Sequence, residues 1–288
     1  MTDVVLIYPY FRPPGDRSPF RFPPLGLGYI ASHLRNHGLS VGLVDCTFKT
    51  EDSVVRTVRG LNPSIIGIYS MFSMNTSAFR LARLLRDDCD LLVAGGPLPT
   101  IFPEDYLKTF DVVCIGEGEQ TMLELAEAEL KQRKLSTIKG ICVRTNHEPS
   151  SAGECITRTP ARPPIRNLDW SPFPARDLFD NTEYRGYFRK RFGREETSII
   201  TTRGCPFDCD FCSRPIFSNQ FRARSANNVV DELEQISGLG YDSAWFSDDC
   251  FTLIPGRVLR ICREIKNRGL DLKWECLSRV DGFTLDMA

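Results

Sequence analysis

Three observations predict an α/β chain in two parts. Apolar runs of four to six residues recur between amphipathic stretches, as in Val4-Val5-Leu6-Ile7-Tyr8 and Ile65-Ile66-Gly67-Ile68-Tyr69-Ser70. Each run ends on a turn of Gly, Pro or small polar residues, the rhythm of strands that alternate with crossover helices. Near residue 148 the composition changes and prolines accumulate. The expectation is a doubly wound parallel sheet over residues 1–147, a Pro-rich linker over 148–194, and βα repeats over 195–288.

Taken in order, Val4 to Tyr8 is a strand apolar on both faces, and Pro9 ends it. A Pro-rich loop runs from Phe11 to Pro24, and Leu25-Gly26-Leu27-Gly28-Tyr29-Ile30-Ala31 opens a helix that stops near Gly38. Val41–Val44, Ile65–Ser70, Leu91–Ala94 and Val112–Ile115 are the next strands. Helices are expected at Ser53–Arg59, Thr76–Arg86 and Gln120 to about Lys131. Ligands of such sheets sit outside the carboxyl ends of the strands. The turns that fall there are Tyr8-Pro9, the segment beginning Ser70-Met71, Gly95-Gly96-Pro97 and Gly116-Glu117-Gly118-Glu119. Glycines let backbone approach a large flat ligand, although any one of these turns also reads as an ordinary tight βα connection.

Pro160 to Pro174 carries five of the 19 prolines, which excludes a long helix or a central strand. Tyr184 to Arg194 is basic and aromatic and reads as a solvated linker hairpin. Thr197–Thr201 is a strand, followed by a helix at Ala226–Ser237, a strand at Ser243–Ser247, a helix at Gly256–Arg268 and a strand at Leu272–Cys276.

Between the first of these strands and the first helix lies Gly204-Cys205-Pro206-Phe207-Asp208-Cys209-Asp210-Phe211-Cys212, a C-x3-C-x2-C loop. Three thiolates on one short loop hold three corners of a cubane iron–sulfur cluster and leave the fourth iron open to a ligand. A zinc knuckle is the alternative; it needs a fourth thiolate or imidazole, which Cys250 or Cys276 would have to supply.

Composition bounds the function. Hydrophobic content of 42% and charged content of 25% are those of a globular domain. A net charge of −1 gives no electrostatic case for nucleic acid or an anionic membrane, and no apolar run reaches membrane-spanning length. The amino terminus reads as a strand rather than a signal peptide, and eleven Cys without a secretion signal point to a reducing cytoplasm.

The cysteine loop, with Phe211 before the third Cys, resembles that of the radical S-adenosylmethionine (SAM) enzymes. Pro23-Pro24-Leu25-Gly26-Leu27-Gly28, Gly95-Gly96-Pro97 and Gly116-Glu117-Gly118-Glu119, together with Pro172-Phe173-Pro174-Ala175-Arg176-Asp177, are similar to the B12-dependent branch of that superfamily. The resemblance implies a Rossmann-like cobalamin-binding domain followed by the first half of a partial (β/α)6 barrel. It implies three cofactors: a 4Fe-4S cluster on Cys205, Cys209 and Cys212, SAM at the open iron, and cobalamin. It further implies that Phe211 lies near adenine, that Asp248 and Asp249 hold the SAM ammonium, and that Arg279 faces a carboxylate. For Asp248 and Asp249 a helix cap is the competing reading.

No histidine here lies in the Asp-x-His-x-x-Gly turn by which other cobalamin proteins ligate cobalt. His33 and His37 read as surface residues, and His147 also lacks that context. The implied activity is methyl transfer to an unactivated carbon or phosphorus centre, with a radical cyclisation or rearrangement as the alternative. The partners are a small-molecule or peptide substrate and a reductase. Strands four to six of the family's barrel have no counterpart, so the chain is expected to bind cobalamin but to turn over SAM poorly unless another chain completes the barrel. A corrinoid-binding protein without turnover is the third reading.

Overall fold

The structure, a computed structural model, describes residues 2–12, 21–131, 133–145, 155–213, 216–217, 219–283 and 285–287. The chain forms two compact units, Met1–Arg17 with Gly26–Pro164 and Ser18–Leu25 with Ile165–Ala288.

The first unit alternates β1 (Thr2–Tyr8), α1 (Leu25–Asn36), β2 (Val41–Asp45), α2 (Glu51–Leu61), β3 (Pro63–Tyr69) and α3 (Asn75–Leu84). It continues through β4 (Leu91–Gly95), two short helices α4 (Pro97–Ile101) and α5 (Pro103–Tyr106), β5 (Val112–Cys114) and α6 (Glu119–Leu130). Sequence chemistry sets the boundaries. Thr50 caps α2 by accepting from the Ser53 N–H at 3.4 Å, and Asn62 ends it in the left-handed region at φ 47°. The sheet order is β2-β1-β3-β4-β5, all parallel, as a doubly wound α/β fold requires. Val5, Ile7, Ile66, Ile68, Leu92, Ala94 and Val113 are buried in one core with Val54, Val58, Leu81 and Phe110. The order reverses between β1 and β3, which is where such sheets open a crevice at their carboxyl edge.

Beyond β5 the sheet turns antiparallel through β6 (Ile141–Thr145) and β7 (Cys155–Arg158), two strands not expected from the sequence. The intervening residues, His147 among them, lie outside the described residues.

The second unit holds α7 (Asn181–Phe192), β8 (Glu196–Ile199), β9 (Thr202–Arg203), β10 (Arg222–Ala223), α8 (Ala226–Gly238), β11 (Ser243–Phe246), α9 (Pro255–Asn267) and β12 (Lys273–Cys276). Strands β8, β11 and β12 are parallel in the order β12-β11-β8, so β8 and β12 are edges. Helices α8 and α9 bury Val229, Val230, Leu233, Ile236, Val258 and Ile261 against this sheet.

The stretch 148–194 therefore carries elements of both units, β7 in the first and α7 in the second. Tyr184–Arg194, expected as a hairpin, is most of helix α7. Asp180 accepts from the Glu183 N–H at 3.3 Å, Tyr184 and Phe188 are buried one turn apart, and Gly193 closes the helix at φ 70°. Basic residues in the last turn complement the helix dipole, which accounts for the cluster of positive charge without a hairpin or a polyanion.

Candidate functional site

At the carboxyl edge of the first sheet, the turns singled out from the sequence come together. Tyr8 ends β1 and Tyr69 ends β3, their rings 5.5 Å apart across the switch point, and burial pushes the Tyr69 hydroxyl up to about 12 and that of Tyr8 higher still. Pro9 is buried behind them. The Ser70 N–H donates to the Gly95 carbonyl at 2.8 Å, tying the β3 and β4 turns together. Gly96 has φ 112°, and a Cβ there would fall 2.5 Å from the Ser70 carbonyl oxygen, so only glycine is accommodated. Pro97 begins α4 directly after it. The Gly116 N–H donates to Thr100 Oγ1 at 3.2 Å, and Gly118 lies against Ile30 of α1. Glu117 is half-buried and Glu119, which opens α6, is buried.

Sequence reasoning missed Tyr106. Ser70 Oγ is 2.7 Å from its hydroxyl, which donates in turn to Asn75 Oδ1 at 2.7 Å. The two ends of the turn containing Met71 and Phe72 are thus bridged, and Phe72 is left 87% exposed. No local pattern signals this, because the tyrosine lies 36 residues from the serine that it holds.

Burial holds the His33 imidazole below its ordinary range, and the neighbouring His37 adds to the shift. His33 is half-buried rather than on the surface, its ring tilted against that of His37 with centroids 4.6 Å apart. The apolar face of α1 draws it in, a consequence of helix packing that the i, i+4 spacing alone does not reveal.

In the second unit the cysteine loop leaves β9 and returns on β10, which pair antiparallel through Arg203↔Arg222 and Thr202↔Ala223. Gly204 enters the loop at φ 79°, where a Cβ would collide with the Gln220 carbonyl. Cys205 is buried, Cys209 half-buried and Cys212 exposed, and the Cys212 N–H donates to the Cys209 carbonyl at 3.0 Å. Phe211 is 93% exposed. Arg279 stacks its guanidinium 4.0 Å from the Phe207 ring centroid and donates from Nη1 to Cys209 Sγ at 3.7 Å. It also forms a bidentate pair with Asp281 at 2.8 and 2.9 Å.

The comparisons with known proteins separate along the same line as the two units. The B12 binding domain family matches residues 13–126, and the Radical SAM superfamily matches residues 199–286. This chain carries a B12-binding domain and a radical SAM domain. The uncharacterized methyltransferase PH0819 of Pyrococcus horikoshii is 34% identical over 277 residues, covering 92% of this chain and 57% of that protein. An anaerobic magnesium-protoporphyrin IX monomethyl ester cyclase of Rubrivivax gelatinosus is 28% identical over 298 residues, covering 98% of this chain and 51% of the cyclase. The solved structure of the cobalamin-dependent S-adenosylmethionine radical enzyme OxsB, with aqua-cobalamin and S-adenosylmethionine bound, matches at a TM-score of 0.80 and 22% identity. That match covers 100% of this chain and 40% of OxsB, and it shows a shared fold. The chain spans about half the length of the curated relatives it matches.

The residues of both domains fit the groups that these families imply. In the B12-binding domain, a Cβ at Gly116 would meet nothing within 4 Å, so bare backbone faces open space there, and one at Gly95 would only touch Cys114 at 3.7 Å. In the radical SAM domain, the donor set is three thiols of one loop. Among the described residues no group of three or more His, Cys, Asp or Glu side chains is gathered to hold a single ion. Thiolates that each bind a different corner of a cubane need not meet at one point, whereas zinc ligands must. Asp248, expected at the SAM ammonium, is engaged within the chain. Its Oδ1 accepts from the N–H groups of Thr201 and Thr202 at 2.6 and 2.9 Å, its Oδ2 accepts from the Thr201 hydroxyl, and it is buried. Asp249 beside it is exposed.

Proposed function

We propose that this chain binds cobalamin at the carboxyl edge of its first sheet. We further propose that it holds a 4Fe-4S cluster on Cys205, Cys209 and Cys212 with SAM at the open iron, in the service of methyl transfer to an unactivated carbon or phosphorus centre. The carrying observation is a three-cysteine loop with a locked neck on the same chain as a B12-binding domain. When bound, these groups supply a one-electron donor, a sulfonium to cleave and a cobalt-borne methyl group.

The chain's own residues supply position. Gly204 and the β9–β10 pair fix where the loop begins and ends, and Arg279 offers a fixed cation beside Cys209. Gly95, Gly96 and Gly116 bring main chain to the sheet edge, and Tyr106 holds the turn that presents Met71 and Phe72. A reductase that delivers electrons and a small-molecule or peptide substrate belong to the same reading.

Radical cyclisation is the second reading, favoured by the similarity to the cyclase over 98% of this chain. The test begins with anaerobic reconstitution. About four irons per chain are expected, with loss of iron on changing any of Cys205, Cys209 or Cys212 to Ala, while Cys46, Cys114 and Cys142, all buried in the first unit, are replaceable. One zinc and no iron would overturn the cluster assignment. Hydroxocobalamin is expected to bind with its benzimidazole off cobalt, with a visible spectrum that His33→Ala leaves unchanged. With substrate, S-adenosylhomocysteine formed alongside 5′-deoxyadenosine supports methyl transfer, and 5′-deoxyadenosine alone supports cyclisation.

A further inference from the structure

Every polar group of Thr201, the residue just before β9, is engaged. Its N–H and hydroxyl donate to Asp248, and its carbonyl accepts from the Arg224 N–H and from Arg257 Nη2, each at 3.0 Å. Arg257 also donates from Nε to the Arg224 carbonyl at 2.8 Å. Thr201 lies where the chain enters the cysteine loop and Arg224 where it leaves. One guanidinium therefore holds both sides of the neck, while one carboxylate holds the entering side.

Asp248 follows β11 and Arg257 sits in the first turn of α9, so the two stand at the two ends of one βα connection. Both are buried, at 2% and 4% exposure, and Arg257 Nη1 has no hydrogen-bond partner among the described residues. Burial raises the Asp248 carboxyl above its usual range and lowers the Arg257 guanidinium to about 10. Two charges under that penalty remain because each offsets the other. The β9–β10 pair offers only two residue pairs, too few to hold a neck in one geometry unaided.

We propose that Asp248 and Arg257 form a clamp on Thr201 and Arg224 that fixes the neck of the cysteine loop. They are positioning residues for the cluster, not ligands of it or of SAM. The proposal rests on the reading that this loop carries a cluster. Three thiolates bind three irons together only if the loop is already shaped, so a slack neck lowers cluster retention even when all three cysteines are present.

The test uses the full chain and compares Arg257→Met, Arg257→Lys, Asp248→Asn and Thr201→Val with Val258→Ala. Val258 is buried in the same helix as Arg257 and serves as a control for general loss of stability. Two quantities are read: the rate of iron loss to a ferrous chelator after anaerobic reconstitution, and amide hydrogen exchange at Thr201 and Thr202 in the iron-free chain. Arg257→Met and Asp248→Asn are expected to lose iron roughly tenfold faster, the effect of one hydrogen bond to a charged group. They are also expected to exchange faster at both amides. Arg257→Lys should recover part of each effect, since it keeps the charge and one donor. Thr201→Val removes a single donor at nearly constant volume and remains readable if Asp248→Asn does not fold. Wild-type kinetics and exchange in Arg257→Met would overturn the clamp. So would equally fast iron loss in Val258→Ala at a matched loss of melting temperature. A wild-type chain that takes up no iron would overturn the cluster reading and the clamp with it.

Discussion

Gly204 shows how much of the cysteine loop rests on one residue. Its φ of 79° is open to glycine and strained for any other side chain, and the Gln220 carbonyl occupies the space a Cβ needs. Gly204→Ala is expected to cost about 1–3 kcal/mol and to lower the iron content of the reconstituted chain. Thermal melting and iron analysis check this; unchanged values for both would mean the neck relaxes freely. The three-cysteine loop was legible because its residues are contiguous in sequence. The place of Asp248 was not, because its partners Thr201 and Thr202 are 47 and 46 residues away and only the fold decides which way a carboxylate faces. Arg279 pairs with Asp281 and stacks on Phe207 of the cysteine loop, contacts that no local pattern signals.

Among the elements, α8 carries a charge at its centre. Glu232 is fully buried and takes Arg176 on one oxygen, at 2.5 Å from Nη2, and Arg224 on the other. Arg176 comes from the Pro172–Asp177 segment, and its Nη2 also donates to the Ser198 carbonyl at 2.8 Å, so a stretch read as linker is bonded to β8 and α8. Glu232→Gln leaves two guanidinium groups facing a neutral amide and is expected to cost about 3–5 kcal/mol. Replacing all three residues with well-packed apolar ones should be neutral or stabilising. Denaturant midpoints for the two variants measure this, and equal losses in both would contradict it. The parallel strands of the first unit were legible because strands buried on both faces are runs of Val, Ile and Leu. Strands β6 and β7 were not, being short, partly polar and joined by residues whose composition signals only a loop. Helix α7 had a readable start in Asp180 and Glu183, but its density of Arg and Lys drew attention to charge rather than to the buried spacing of Tyr184 and Phe188.

For the molecule as a whole, two units with separate cores predict two melting transitions. Hydroxocobalamin at 100 times its dissociation constant should stabilise the first unit by about 2.7 kcal/mol and leave the second transition in place. Stripping the iron should lower the second alone. Calorimetry of the full chain resolves the two, and a single transition that shifts as one with either ligand would refute it. Sequence gave the order of these units through the change of composition near residue 148. It did not show that the second unit also draws on residues before α1, because an isolated Arg21-Phe22 pair carries no pattern.

That early segment has a consequence for biosynthesis. Phe22 stacks on Phe188 at 5.0 Å and lies 6.4 Å from Trp245, while the Arg21 guanidinium sits 4.6 Å from the Tyr187 ring centroid. Phe188 leaves the ribosome roughly 160 residues after Phe22, which at about 5–20 residues per second is a delay of roughly 8 to 30 s. For that interval Phe22 lacks the two aromatic rings it packs against, while the sheet that follows it in sequence has already been synthesised.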